Sequence, residues 1–160
     1  MDFLSFLQAI GAATQLDTSA AAHDGGCTIV FSHALEVTFE HDEKNQKAVL
    51  FAPLMSVGEW SAEARASLLA RVLELHLFGL ATDDNYFGFD PLLERLLFFR
   101  GIALASLEPA RAIQAVESFV NQLEHWRTQL VHAAIHPDAV LPALASHASE
   151  LPLHRVQPQE

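Results

Sequence analysis

Three histidines in the last third of the chain are the first candidates for chemistry. His132 and His136 stand four residues apart in HAAIH, and His125 lies seven before His132, so on a helix all three share one face. Two histidines at that spacing can hold zinc, but a zinc protease puts a glutamate directly after the first of them as general base. Ala133 stands there instead, and no third ligand follows at metal-site spacing. The same face carries the polar residues of the segment. It therefore reads as a solvated surface, with no metal assigned.

The carboxylates Asp83, Asp84 and Asp90 in TDDNYFGFD are the second group. A calcium loop needs more oxygen donors in fixed order than this stretch supplies, and a turn between helix and strand accounts for the aspartates and Asn85. Cys27 is the single cysteine and opens the apolar run CTIVF, the setting of a small buried hydrophobe rather than of a nucleophile. One cysteine forms no intramolecular disulfide, which suits a reducing cytoplasm. No phosphate-cradling glycine loop and no G-x-S-x-G elbow occurs. No catalytic residue, metal or cofactor is assigned, and the chain is expected not to be an enzyme.

Composition narrows the remaining classes. Twenty acidic against nine basic side chains give a formal charge of -11, which repels phosphate and argues against nucleic acid. Apolar runs are broken by charge before about 18 residues, too short to span a membrane, and MDFLSFLQ lacks the basic start of a signal peptide. Yet 51% of the 160 residues are hydrophobic. A single domain so apolar either fills its core unusually well or keeps apolar surface for another chain.

The elements that would carry such a surface can be read from periodicity. Asp2 caps a first helix with Phe3, Leu4, Phe6, Leu7 and Ile10 at helical spacing. Cys27 to Phe31 is a short strand; Leu35, Val37 and Phe39 alternate with Glu36, Thr38 and Glu40 in a second; Lys47 to Met55 is a third, with Pro53 marking its end or a sheet edge. These three form an antiparallel meander. Ser61 opens a second helix that runs to about Gly79, and its apolar residues, from Leu68 and Leu69 to Leu77 and Phe78, occupy more than one face. A third helix starts at Pro109 with the stripe Ile113, Val116, Phe119, Val120, Leu123, Trp126 and Leu130. From Pro137 the pattern fades, giving one domain over residues 1–136 and an extension over 137–160, expected to hold one short helix and a disordered tail.

The stretch YFGFDPLLERLLFFR resists local rules. Asp90-Pro91 is a good helix start, whereas YFGF and LLFF are strand-like runs around a charged break. Element order bears on it. LELHLFGLATDDNYFGFDP resembles the helix end, turn and strand tip of the class I chaperones of bacterial type III secretion, the Tir-chaperone-like family. LLFFRGIALASLEPARAIQAVESFVNQLEHWRTQL is similar to that family's last strand, link and closing helix. Asp83 and Asp84 stand where the family's turn has glycines, and His76 where many members have an asparagine-like residue. The resemblance covers about residues 2–131 and makes the ambiguous stretch a hairpin, Tyr86 to Phe89 and Leu96 to Ala103.

The resemblance implies an α+β fold, a twisted antiparallel sheet of about five strands with three helices in the order α-β-β-β-α-β-β-α. It also implies a cytoplasmic bacterial homodimer that binds the N-terminal segment of a secreted effector. On that basis Phe3, Phe6, Leu7, Phe31, Leu96 and Phe98 are candidates for an effector groove, and Leu68, Val72, Leu75 and Phe87 for the dimer contact. A regulatory protein that sequesters another regulator would use the same fold, and a small metal-dependent hydrolase using the histidines is a third reading.

Overall fold

The computed structural model of the chain describes residues 1–16, 18, 25–31, 34–77 and 82–135. In order these form α1 (Phe3–Thr14), β1 (Gly26–Phe31), β2 (Leu35–Asp42), β3 (Lys47–Ser56), α2 (Ala62–Leu75), β4 (Tyr86–Asp90), β5 (Arg95–Ala103) and α3 (Pro109–Ile135). The order is the one the sequence predicts, and the expected C-terminal extension lies outside the described residues. Helix starts follow their local chemistry. The Asp2 carboxylate accepts from the Ser5 amide at 2.7 Å, the Ser61 hydroxyl accepts from the Ala64 amide at 3.2 Å, and Pro109 opens α3, where its missing amide costs nothing.

The strands form one antiparallel sheet in the order β1-β2-β3-β5-β4. Pro53 is the departure from expectation, because it sits within the central strand β3 and not at its end. β2 pairs with β3 only as far as Phe51, and the register against β5 shifts between Pro53 and Met55. One flank of β3 is thus unpaired at Pro53, beside an irregularity of the kind that tolerates a residue without an amide hydrogen.

Strand periodicity divides the side chains between two unlike faces. On the inner face Val37, Phe39, Leu50, Ala52, Leu96 and Phe98 are buried beneath α1 and α3. The Phe6 ring of α1 lies 6.2 Å from Phe39, Phe119 of α3 stacks on Phe98 at 5.4 Å, and Trp126 meets Phe87 edge-on at 5.4 Å. Burying each such ring contributes about 1.5–3 kcal/mol. The outer face is polar where β1 and β2 carry Thr28, Thr38 and Glu40. It turns apolar across β3, β5 and β4, where Val49, Phe51, Leu97 and Phe99 are only half-buried and stand apart from the core cluster. Gly88 belongs to this face: a Cβ there would come within 3.3 Å of the Phe99 ring, which lies across the glycine.

α2 runs antiparallel to β4. At one end Arg65 meets Glu94, just past β4, at 2.7 Å; at the other the His76 ring packs edge-on to Tyr86, the first residue of β4, at 5.9 Å. Leu68, Val72 and Leu75 join the core, while Leu73 and Leu77 on the same helix stay exposed. The two-faced apolar pattern of this segment is therefore real.

Between β4 and β5, residues 91–94 make the turn that the sequence left open. Asp90 does cap, but it caps a turn: one carboxylate oxygen accepts from the amides of Leu92 and Leu93 at 3.0 and 3.1 Å, and the other from Arg95 at 3.3 Å. The Leu93 amide above all, with the Leu92 amide and Arg95, holds this carboxyl below its ordinary value.

Two consequences can be measured. Trp126→Ala should lower unfolding free energy by about 3–5 kcal/mol in urea titration, because it empties a site shared by α3 and β4, whereas Val30→Ala on the exposed face should stay within about 0.5 kcal/mol. A carboxylate with a depressed folded pKa stabilises above its unfolded value and ceases to do so as pH falls through the folded one. Asp90→Ala should accordingly lower the urea midpoint at neutral pH, and the gap to wild type should close from pH 3.8 downward.

Candidate functional site

α1 and α3 lie side by side on the inner face, and where they diverge near β1 they leave a groove of about 370 Å³. Ile10, Ala13 and Thr14 form its α1 wall, Ile113, Val116 and Val120 its α3 wall, and Phe31 closes the end as the last residue of β1. Glu117 and Asn121, one helical turn apart on α3, supply polar groups at the rim. Ile10 and Val116 of its lining are themselves buried in the core, so the groove is pre-formed. An apolar concavity with few polar groups at its rim binds apolar side chains and gives them orientation.

β1 adds a second element. It has a strand partner on one side only, β2, so its outer edge presents main-chain N–H and C=O groups from Gly26 to Phe31 among the described residues. An extended peptide can add there as a further strand, and its alternate side chains then point toward the inner face, where the groove begins at Phe31. Main-chain pairing and side-chain burial would act on the same segment.

The structure distributes the sequence candidates unevenly. Phe31 is half-buried and lines the groove. Phe3, Phe6, Leu7, Leu96 and Phe98 lie in the core, with Phe6, Leu7 and Phe98 fully enclosed; they fix α1 and β5 in place and thereby shape the groove from below. Ile10, Ile113, Val116 and Val120 were not among the candidates. Their signal was present in the stripes of two helices, but a stripe does not tell which of its members line a gap between helices. Leu68, Val72, Leu75 and Phe87 are likewise interior, and the apolar side chains exposed over them are Leu73 and Leu77 of α2 and Tyr86 and Phe89 of β4.

The polar candidates have structural partners. The Ser118 hydroxyl of α3 donates to Asp83 at 2.7 Å, and Asn85, fully buried, donates through its amide to the Asp83 carbonyl at 3.0 Å and to that of Thr82. Asp83 and Asp84 have φ of 51° and 57°, the left-handed region that glycine favours and aspartate tolerates. The two aspartates thus fold a turn that glycines would fold elsewhere. Cys27 is half-buried, and burial pushes its thiol up, away from the reactive thiolate. His125 packs against Trp126, His132 is exposed, His136 lies outside the described residues, and among the described residues no three metal-binding side chains converge. No helix among them is long and apolar enough to cross a membrane.

Against this geometry stand the comparisons with known proteins. Residues 5–127 match the model of the Tir chaperone protein (CesT) family. Among the solved structures that share the fold are three complexes. The ExsC-ExsE complex has a chain 19% identical, with a TM-score of 0.62 over 81% of this chain and 97% of that one. The HopA1-SchA chaperone-effector complex aligns at 14% identity and TM-score 0.59, covering 78% and 91%. The heterodimeric ExoU-SpcU complex from the type III secretion system of Pseudomonas aeruginosa aligns at 12% and 0.60, covering 84% and 98%. No curated protein gives a significant sequence match.

Proposed function

Because the chain belongs to the Tir chaperone protein (CesT) family, we propose that it is a type III secretion chaperone. It binds the N-terminal segment of a secreted effector in the bacterial cytoplasm and keeps that effector soluble and competent for export. The observation that carries this reading is the apolar groove between α1 and α3 placed beside the unpaired edge of β1. Two structures of the same fold, a chaperone-effector complex and a complex of the type III secretion system, support it.

The physical task explains the arrangement. A disordered client loses conformational entropy when it binds, and ordering a segment costs about 2–5 kcal/mol or more. Apolar side chains in a pre-formed groove and main-chain bonds along a strand edge together offset that cost. The strong negative charge keeps the loaded complex dispersed. Binding alone performs the task, so no catalytic step is invoked. The working unit is a homodimer. Leu68, Val72, Leu75 and Phe87 set the layer of α2 and β4 from within, and its exposed leucines and aromatic side chains meet the second copy.

Phe31→Asp and Val120→Asp place charge in the groove at half-buried positions where the fold can accommodate it. Each should weaken effector binding at least tenfold, or about 1.4 kcal/mol, in calorimetry with an effector recovered by copurification, while the unfolding midpoint moves by only a few degrees. Limited proteolysis of the wild-type complex should protect one stretch near the effector's N-terminus. Wild-type affinity in both variants would remove the groove from the proposal.

A further inference from the structure

The open edge of β1 has two sides. Its inward positions, Cys27, Ile29 and Phe31, lead to the groove. Its outward positions, Gly26, Thr28 and Val30, form a lane beside which the register sets Glu40, Thr38 and Glu36 of β2. Both glutamates are exposed, and among the described residues no ion pair engages either. On β3 the partner of Glu40 is the apolar Val49, and β2 pairs with β3 only from Thr38 onward, so Glu36 has no partner there. Asp42, the next outward residue of β2, does stand opposite a cation, Lys47. The two carboxylates nearest the open edge are the ones left without one.

The lane is shaped for long side chains. Gly26 has none of its own, so the way to Glu40 is open from a strand added outside β1, at two strand spacings or about 9–10 Å. A shallow concavity of about 400 Å³ lies there, lined in part by Gly26, Thr28, Thr38 and Glu40. At the other end Val30, 60% exposed, offers apolar surface to the aliphatic stem of a lysine or arginine whose head reaches Glu36. Between these two places the Thr28 and Thr38 hydroxyls lie 3.0 Å apart and make a neutral step. Of the residues lining the groove on the inner side, Glu117 alone is charged. Both sides of the edge therefore favour a cationic partner.

We propose that Glu36 and Glu40 select a client strand of alternating character, with lysine or arginine at two outward positions four residues apart, opposite Val30 and Gly26. A neutral residue stands between the two cations, and apolar residues face inward to Ile29 and Phe31. This rests on the chaperone reading above and names the chemistry of the segment that β1 accepts. Four residues of strand span about 14 Å on either chain, so two cations at that spacing meet both carboxylates in one register. A slip by one residue would turn them to the apolar side.

The test uses the full-length chain and, as probe, a synthetic peptide of the effector stretch protected from proteolysis. That stretch should contain two basic residues four apart, each next to an apolar residue. Raising NaCl from about 0.05 to 0.5 M should weaken wild-type binding about tenfold, because exposed charge pairs are screened. Glu36→Gln/Glu40→Gln should bind about tenfold less tightly than wild type at low salt and lose most of the salt dependence. Glu43→Gln/Glu59→Gln removes the same charge from exposed turns away from the lane and should stay within about twofold of wild type. Glu40→Lys should prefer a peptide whose matching basic residue is changed to glutamate over the parent peptide. A peptide that Phe31→Asp weakens, but that lacks the basic pair or is indifferent to Glu36→Gln/Glu40→Gln, overturns the charge selection and leaves the chaperone reading standing. Equal losses in the two double variants would assign the effect to overall acidity and overturn it as well. If no effector copurifies and no stretch is protected, both readings fall together.

Discussion

The sheet is apolar along its inner face and also on the β3, β5 and β4 part of its outer face, and the described helices cover only the inner one. Everything else follows from that imbalance. α1 and α3 seal the inner face through Phe6, Phe119 and Trp126, and the groove lies between the two helices. The outer face keeps Val49, Phe51, Leu97 and Phe99 half in water. A monomer built this way carries more apolar surface than its own stability needs, and that surplus is what a binding protein has to offer another chain.

The arrangement also separates recognition from stability. Residues that hold the fold together differ from those that can touch a partner: Phe6 and Leu7 of α1 are enclosed while Phe31 and Val120 line the groove, and Val72 and Leu75 of α2 are buried while Leu73 and Leu77 are exposed. Changes in the outer set can alter what is bound at small cost in folding, whereas changes in the inner set cannot. Acidity acts over a longer range. It discourages non-specific association generally.

Much of this was legible in the sequence, and the exceptions are instructive. Alternation in Leu35 to Glu40 and the stripe from Ile113 to Leu130 fixed β2 and α3 because period alone decides them. Asp90 was ambiguous because the same carboxylate geometry serves a helix start and a tight turn; only pairing of Tyr86–Asp90 with Arg95–Phe99 distinguishes them, and that pairing is non-local. Pro53 misled because its tolerance depends on where β2 stops, which β3 itself does not encode. The groove candidates had a similar difficulty. Hydrophobic pattern says that Phe6 and Val116 face inward, but whether a side chain ends in core or in a gap depends on how far two helices diverge.

The two-sided apolarity of β5 bears on register as well. Within LLFF alone, sliding by one residue would exchange Leu96 and Phe98 for Leu97 and Phe99 on the inner face, with almost no loss of hydrophobic burial over those four residues. Over these four residues burial does not select the native alignment, and polar and steric contacts add to it: the Asp90 carboxylate that ties Leu92, Leu93 and Arg95 into one turn, and Gly88, whose bare backbone lets the Phe99 ring lie across it. A strand apolar on both faces is thus aligned in part by an aspartate and a glycine, and a substitution at either would weaken that alignment.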